Sequence, residues 1–321
     1  MAKRPTVLVT RKLPEAVEAK LERDYDARLN PDDKALDTDA LLRAAEGVDA
    51  IMPCHSERFP AEVIARLPSS VKIIANFSVG TDHVDLAAAK QRGIVVTNTP
   101  EMLNDATAEV TMLLMLGAAR RASEGERLVR AGGWKSWSPA FMVGTQVTGK
   151  TVGIVGMGRV GRVVAERCRG FAMEIRYHNK TRLSPEVEQG AVYHETLESL
   201  LASSDIVTMH CPNTPETRGM INEDTIAQMK DGVIFVNAAR GTIVVEDDLI
   251  AALKSRKIRA AGLDVFQNEP LIDQRWAAIE NVFLLPHIGS ATAETRDAMG
   301  FRALDNLDAY FAGGEPGDRV A

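Results

Sequence analysis

Cysteine is scarce in this chain and follows no pattern. Cys54, Cys168 and Cys211 are odd in number and far apart, which leaves neither a disulfide framework nor a zinc-binding spacing. All three read as small buried residues. A basic excess is also missing: 38 Lys and Arg against 44 Asp and Glu give a net charge of -6, so there is no field to attract nucleic acid or an anionic membrane. No apolar run reaches the roughly 18 residues of a membrane span. The basic start MAKRPTVLVTRKLPEA passes into acidic, helix-like sequence without an apolar h-region. A soluble, cytoplasmic chain without nucleic-acid or membrane partners is expected. Fixed-period repeats, low-complexity tracts and single-sign tails are absent too, which excludes solenoids and charged-tail tethers.

What is present is an ordinary globular composition, 45% hydrophobic and 26% charged over 321 residues, enough for two domains. Short β-branched runs alternate with amphipathic segments from the start: TVLVT, PEAVEAKLERDY, DTDALLRAAEG, VDAIMPC, AEVIARL, VKIIANFSV, LAAAKQRG, IVVTNTP. That rhythm predicts a small parallel α/β layer. ATAEVTMLLMLGAARR reads as a buried helix leading out of it, followed by a Gly- and Trp-bearing loop. From Thr151 a second series runs through TVGIVG, MEIRYHN, DIVTMHC, GVIFVNAAR, AAGLDVF and NVFLLPH, enough strands for a doubly wound sheet. The last segment, ATAETRDAMGFRALDNLDAYF, has helical period and no strand after it, so it is expected to pack back on the first layer, making that domain discontinuous.

Gly156, Gly158 and Gly161 form G-x-G-x-x-G between the strand TVGIV and a helix, with Arg159 and Val160 inside the motif. In that context the first glycine permits the tight turn, the second admits a pyrophosphate, and the third lets helix and sheet approach. Helix N–H groups then face the phosphates. At the end of the next strand, where a carboxylate would bind the ribose 2′-OH of NAD, stands Asn179, followed by Lys180, Thr181 and Arg182. Two cations and two neutral hydrogen-bonding groups favour NADP(H), with NAD(H) still usable. Charge-assisted hydrogen bonds of roughly 1.5–3 kcal/mol each make a preference of about a hundredfold attainable. The plainer reading is a solvated basic turn.

Three further residues follow strand-like runs in the same half: Arg240 in VNAARGT, Glu269 in DVFQNEP and His287 in LPHIGSA. Ligands of open α/β sheets bind outside the strands' carboxyl ends. A guanidinium can hold a carboxylate and polarise a carbonyl together. An imidazole, with a reference pKa near 6.5, is a natural proton donor, and a carboxylate on its other nitrogen fixes the tautomer and favours the imidazolium. Singly, each has a simpler explanation: a core histidine, a capping arginine, a surface glutamate. Together with a dinucleotide turn they suggest reduction of a 2-oxo acid.

GMGRVG, VNAARGT, GLDVFQNEP and LPHIGSAT resemble the D-isomer-specific 2-hydroxyacid dehydrogenase family over essentially the whole chain, and YHNKTRL is similar to its NADPH-linked glyoxylate/hydroxypyruvate reductases and 2-ketogluconate reductases. The resemblance implies an α/β protein of two doubly wound parallel-sheet domains, a Rossmann cofactor domain over 100–287 and a smaller flavodoxin-like substrate domain over 1–99 and 288–321. It implies Arg240, Glu269 and His287 as the catalytic set and Val79 and Gly80 main-chain N–H groups on the substrate carboxylate. Thr107, Cys211, Pro212, Ala238, Asp264 and Gly289 would line the cofactor cleft, and no metal is expected. A homodimer is implied, through the helix near Met112 to Met115. Trp137 matches a tryptophan that in some relatives reaches the neighbouring subunit's site; a core or interface role is equally open. A sugar-acid reductase and a dinucleotide-sensing protein resembling the C-terminal-binding corepressors are the alternative readings.

Overall fold

The computed structural model describes residues 4–321. The chain forms two compact units, one running to Leu103 and resuming over Ser290–Ala321, the other Asn104–Gly289. In the first unit the order is β1 (Thr6–Val9), α1 (Glu15–Asp24), β2 (Asp26–Arg28), α2 (Thr38–Ala44), β3 (Ala50–Met52), α3 (Ala61–Arg66), β4 (Ile73–Ala75), α4 (Leu86–Gln91) and β5 (Val95–Thr97). The strands form a parallel sheet in the order β2-β1-β3-β4-β5, the flavodoxin-like arrangement. Every residue of β1, β3 and β4 is buried, as central strands covered on both faces require. Asp37 and Asp85 cap α2 and α4 by accepting the N–H groups of Ala40 and Ala88, which sets where each helix begins.

The second unit opens with α5 (Asn104–Ala119) and α6 (Ala122–Arg130), then runs β6 (Thr151–Val155), α7 (Arg159–Gly170), β7 (Glu174–His178), α8 (Pro185–Glu188), β8 (Val192–Tyr193), α9 (Leu197–Ser203), β9 (Ile206–Met209), α10 (Glu223–Ala227), β10 (Val233–Asn237), α11 (Glu246–Ser255), β11 (Ile258–Leu263) and β12 (Val282–Leu284). Its seven parallel strands lie in the order β12-β11-β10-β9-β6-β7-β8, which is the Rossmann order extended by one strand. Helix α12 (Ala293–Phe311) belongs to the first unit, where Met299, Ala303, Leu304 and Leu307 join Val17, Leu21 and Tyr25 in one core and Asp308 pairs with Lys20 at 2.7 Å. Two short edge strands, β2 and β8, carry no signal in the sequence.

Met112 and Met115 lie inside the second unit's own core, beside Val152, Cys168 and Ile234, and Leu113 on the same stretch of α5 is 46% exposed. One expectation changes. Of the cysteines only Cys168 is buried; Cys54 and Cys211 are half-buried, and all three are free.

Helix α5 packs tightly on β11 because Gly262 presents no side chain. A Cβ there would stand 2.6 Å from the carbonyl oxygen of Leu114, closer than atoms pack. Gly262→Ala should therefore cost about 1–3 kcal/mol through overpacking. Urea unfolding would show it as a lowered midpoint; a midpoint equal to wild type would contradict so close an approach.

Candidate active site

Strands β10, β11 and β12 are neighbours in register, Asn237 beside Leu263 and Leu263 beside Leu284. Adjacent strands lie about 4.8 Å apart, so the loops that leave their carboxyl ends share one small space. Arg240, Glu269 and His287 lie on those three loops. Asn237 anchors the first: its amide nitrogen donates to Arg240 O at 2.9 Å and its side-chain oxygen accepts Ala239 N at 3.0 Å. Arg240 Nη1 donates to Ala239 O at 2.8 Å. The second and third loops meet directly, His287 Nδ1 lying 2.6 Å from Glu269 Oε2. Glu269 Oε1 in turn accepts the N–H of Phe266 at 2.7 Å, so the carboxylate is aimed by its own loop. About a quarter of each side chain is exposed, 28% for His287 and 25% for Glu269.

Asp264, at the end of β11, holds this geometry. Its oxygens accept the N–H groups of Ile288 and Gly289, both at 2.8 Å, while its backbone oxygen accepts His287 N at 2.9 Å. Burial pushes this carboxyl above its usual range, and the two N–H donors pull the other way. Thr107, at the start of α5, donates to Gly289 O at 3.2 Å from a buried position. His287 itself has φ of 53°, a left-handed conformation that only a well-determined loop maintains in a non-glycine residue.

The glycine turn lies along the same carboxyl edge, separated from β10 by β9. Gly156 has φ of 95°, and a Cβ on it would fall 2.6 Å from the backbone nitrogen of Cys211; one on Gly161 would fall 2.5 Å from Gly156 O. Gly158 differs: nothing lies within 4 Å of where its Cβ would be. Fold packing thus requires the outer glycines, while the middle one faces open space at the start of α7, where helix N–H groups point outward. These residues fit a dinucleotide. Beside them burial pushes His210 down to about 4 and the Cys211 thiol up to about 11, so near neutrality both are uncharged. Cys211 Sγ rests 3.8 Å from Met220 Sδ, Pro212 O accepts Thr217 Oγ1 at 2.6 Å, and Ala238 packs half-buried after β10.

At the end of β7, Asn179 Oδ1 accepts Met157 N at 2.7 Å, tying strand end to glycine turn. Lys180 and Thr181 are exposed. Arg182 donates to Glu188 with Nε at 2.8 Å and Nη2 at 3.2 Å. Glu188 escaped the sequence reading because it lies six positions beyond Arg182, at the end of the short helix α8, and EVEQG reads as surface. In the first unit the carbonyls of Val79 and Gly80 are taken by Asn98 Nδ2 at 2.9 Å and Ser78 Oγ at 2.7 Å, which fixes the loop bearing their N–H groups. Asn237 was also missed, although an Asn two residues before a turn amide is a known turn-forming signal.

A family model for the D-isomer-specific 2-hydroxyacid dehydrogenase NAD-binding domain matches residues 112–289. The chain is 42% identical to the glycerate dehydrogenase of Hyphomicrobium methylovorum over 311 residues, 96% of this chain and 97% of that protein. It is 42% identical to the glyoxylate reductase of Pyrococcus furiosus over 318 residues, 98% of this chain and 94% of the other. Among solved structures, the NADPH-dependent glyoxylate/hydroxypyruvate reductase of Sinorhizobium meliloti, in complex with NADP and malonate, superposes with a TM-score of 0.88 at 33% identity, covering 99% of this chain and 97% of that one. With the paired imidazole and carboxylate, the glycine turn and both sheet orders in place, the chain belongs to the D-isomer-specific 2-hydroxyacid dehydrogenase family.

Proposed function

We propose that this protein reduces a small 2-oxo acid, glyoxylate or hydroxypyruvate, to the D-2-hydroxy acid, with NADPH as the preferred donor, NADH as a second, and His287 as the acid. The observation that carries the reading is the 2.6 Å bond between His287 Nδ1 and Glu269 Oε2. With Nδ1–H directed at Glu269, Nε2 is the nitrogen we assign to hand a proton to a carbonyl oxygen. Arg240 binds the substrate carboxylate and polarises the carbonyl, with Val79 and Gly80 N–H groups as further carboxylate donors. The dinucleotide, when bound, supplies the hydride to the carbonyl carbon. The relatives named glyoxylate reductase and glycerate dehydrogenase support the substrate class, and no helix among the described residues is long and apolar enough to cross a membrane. The cytoplasm is the setting proposed. His287→Gln should lower kcat with glyoxylate or hydroxypyruvate by ~100- to 10,000-fold while cofactor binding stays near normal. A variant that kept wild-type turnover would remove His287 as the acid.

The preference for NADPH rests on Asn179, Lys180, Thr181 and Arg182, where no carboxylate meets the ribose. The complex of the Sinorhizobium meliloti reductase with NADP supports it. Asn179→Asp keeps the acceptor for Met157 N but adds a negative charge opposite a 2′-phosphate. The ratio of kcat/KM for NADPH over NADH should fall about 10- to 100-fold, from a wild-type value above one. An unchanged ratio would detach this strand end from dinucleotide choice.

A homodimer belongs to the same reading. Val129, Trp134, Trp137, Phe141 and Val143 are exposed on and after α6, with Trp137 at 75%. Of these, Val143 lines a cavity of about 430 Å³ with Gly144, Arg256, Arg259 and Asn281, at the amino ends of β10 to β12 and away from the catalytic edge. So much exposed apolar surface in one segment supports an interface there. Sedimentation should give a dimer that Trp137→Ser weakens; a wild-type monomer at micromolar concentration would refute this part.

A further inference from the structure

The turn between Asn179 and Leu183 is held by a buried polar chain that the reduction itself does not use. The Tyr177 hydroxyl, fully buried, accepts Leu183 N–H at 3.0 Å and donates to Glu188 Oε1 at 2.6 Å. Glu188, only 6% exposed, receives Nε and Nη2 of Arg182 on its two oxygens. These two donors hold the Glu188 carboxyl below its usual range. Arg182 nevertheless keeps 62% of its side chain exposed, with its guanidinium 5.6 Å from the Tyr193 ring centroid. Tyr193 also donates to Asn179 O at 3.4 Å, so one ring supports both ends of the turn.

An exposed arginine ordinarily samples many rotamers, and holding it still costs entropy at the moment of binding. Here one edge of the guanidinium is bonded and one face is supported before any ligand arrives. The bidentate edge uses Nε and Nη2, which leaves the Nη1 end for another acceptor. Asn179 shows a parallel economy: its Oδ1 is committed to Met157 N, which leaves the amide N–H groups as donors. We infer that Glu188 is a positioning residue for dinucleotide choice, holding Arg182 through its Nε–Nη2 edge so that the Nη1 end meets the adenosine 2′-phosphate. The inference rests on the NADPH preference proposed above.

Charge alone predicts the opposite effect. Removing a carboxylate from beside a phosphate site strengthens attraction for the phosphate, whereas removing a positioning group weakens its binding. The direction of change therefore separates the two roles. Glu188→Gln retains an acceptor for Tyr177 and loses the ionic hold on Arg182. Steady-state kinetics should show KM for NADPH rising about tenfold, with kcat and KM for NADH within about twofold of wild type. In an Arg182→Ala background the same substitution should add nothing further, since it acts through that side chain. A KM for NADPH that stays level or falls, an equal rise for both cofactors, or full additivity with Arg182→Ala overturns the inference while leaving the NADPH reading intact. A wild-type kcat/KM that favours NADH sinks both. Should Glu188→Gln fail to fold, Tyr177→Phe loosens Glu188 without altering any charge and should raise KM for NADPH a few-fold; no rise there overturns the inference equally.

Discussion

Asp264 ends β11 with its carboxylate almost wholly out of water, and two N–H groups from the loop after β12 close on it. Buried carboxylates persist only when so satisfied. At roughly 1.5–3 kcal/mol for each hydrogen bond to a charged group, the pair exceeds the ~1–3 kcal/mol that a left-handed histidine costs. His287 can therefore sit at φ of 53° and turn its Nδ1 toward Glu269. The orientation of the imidazole is inherited from that pinned loop.

The parts of this arrangement that were legible in the sequence are those with a short-range cause. Continuous apolar runs such as GVIFVN mark central parallel strands because both faces are covered, and the G-x-G-x-x-G context marks a strand-to-helix turn because no other residue tolerates φ of 95° beside another strand's backbone. Arg240, Glu269 and His287 stood out by their place just beyond such runs. What stayed hidden depends on contacts across the fold. β8 has two residues, Val192 and Tyr193, too few to show a period. Asp264 resembled a cofactor-lining residue, yet its visible bonds are to the loop of His287. Glu188 looked like surface because nothing local announces that Tyr177 and Arg182 converge on it.

The strand end at Asn179 shows why a residue count can mislead on electrostatics. Lys180 and Arg182 add two positive charges to the turn, but Glu188 offsets one of them at 2.8 Å. Geometry then matters more than net charge. A guanidinium fixed on one edge and one face offers few orientations, which favours a multi-oxygen anion over a simple counter-ion.

The three glycines of the dinucleotide turn answer to different constraints. Gly156 and Gly161 are enforced from inside, by backbone atoms 2.6 and 2.5 Å from an added methyl, whereas around Gly158 the protein supplies no obstacle within 4 Å. Folding thus exerts no steric veto on a small side chain at that middle position; on the function proposed above, a bound nucleotide would. On that reading occupancy and architecture are separable at a single atom, because a methyl there disturbs no packing of the protein's own.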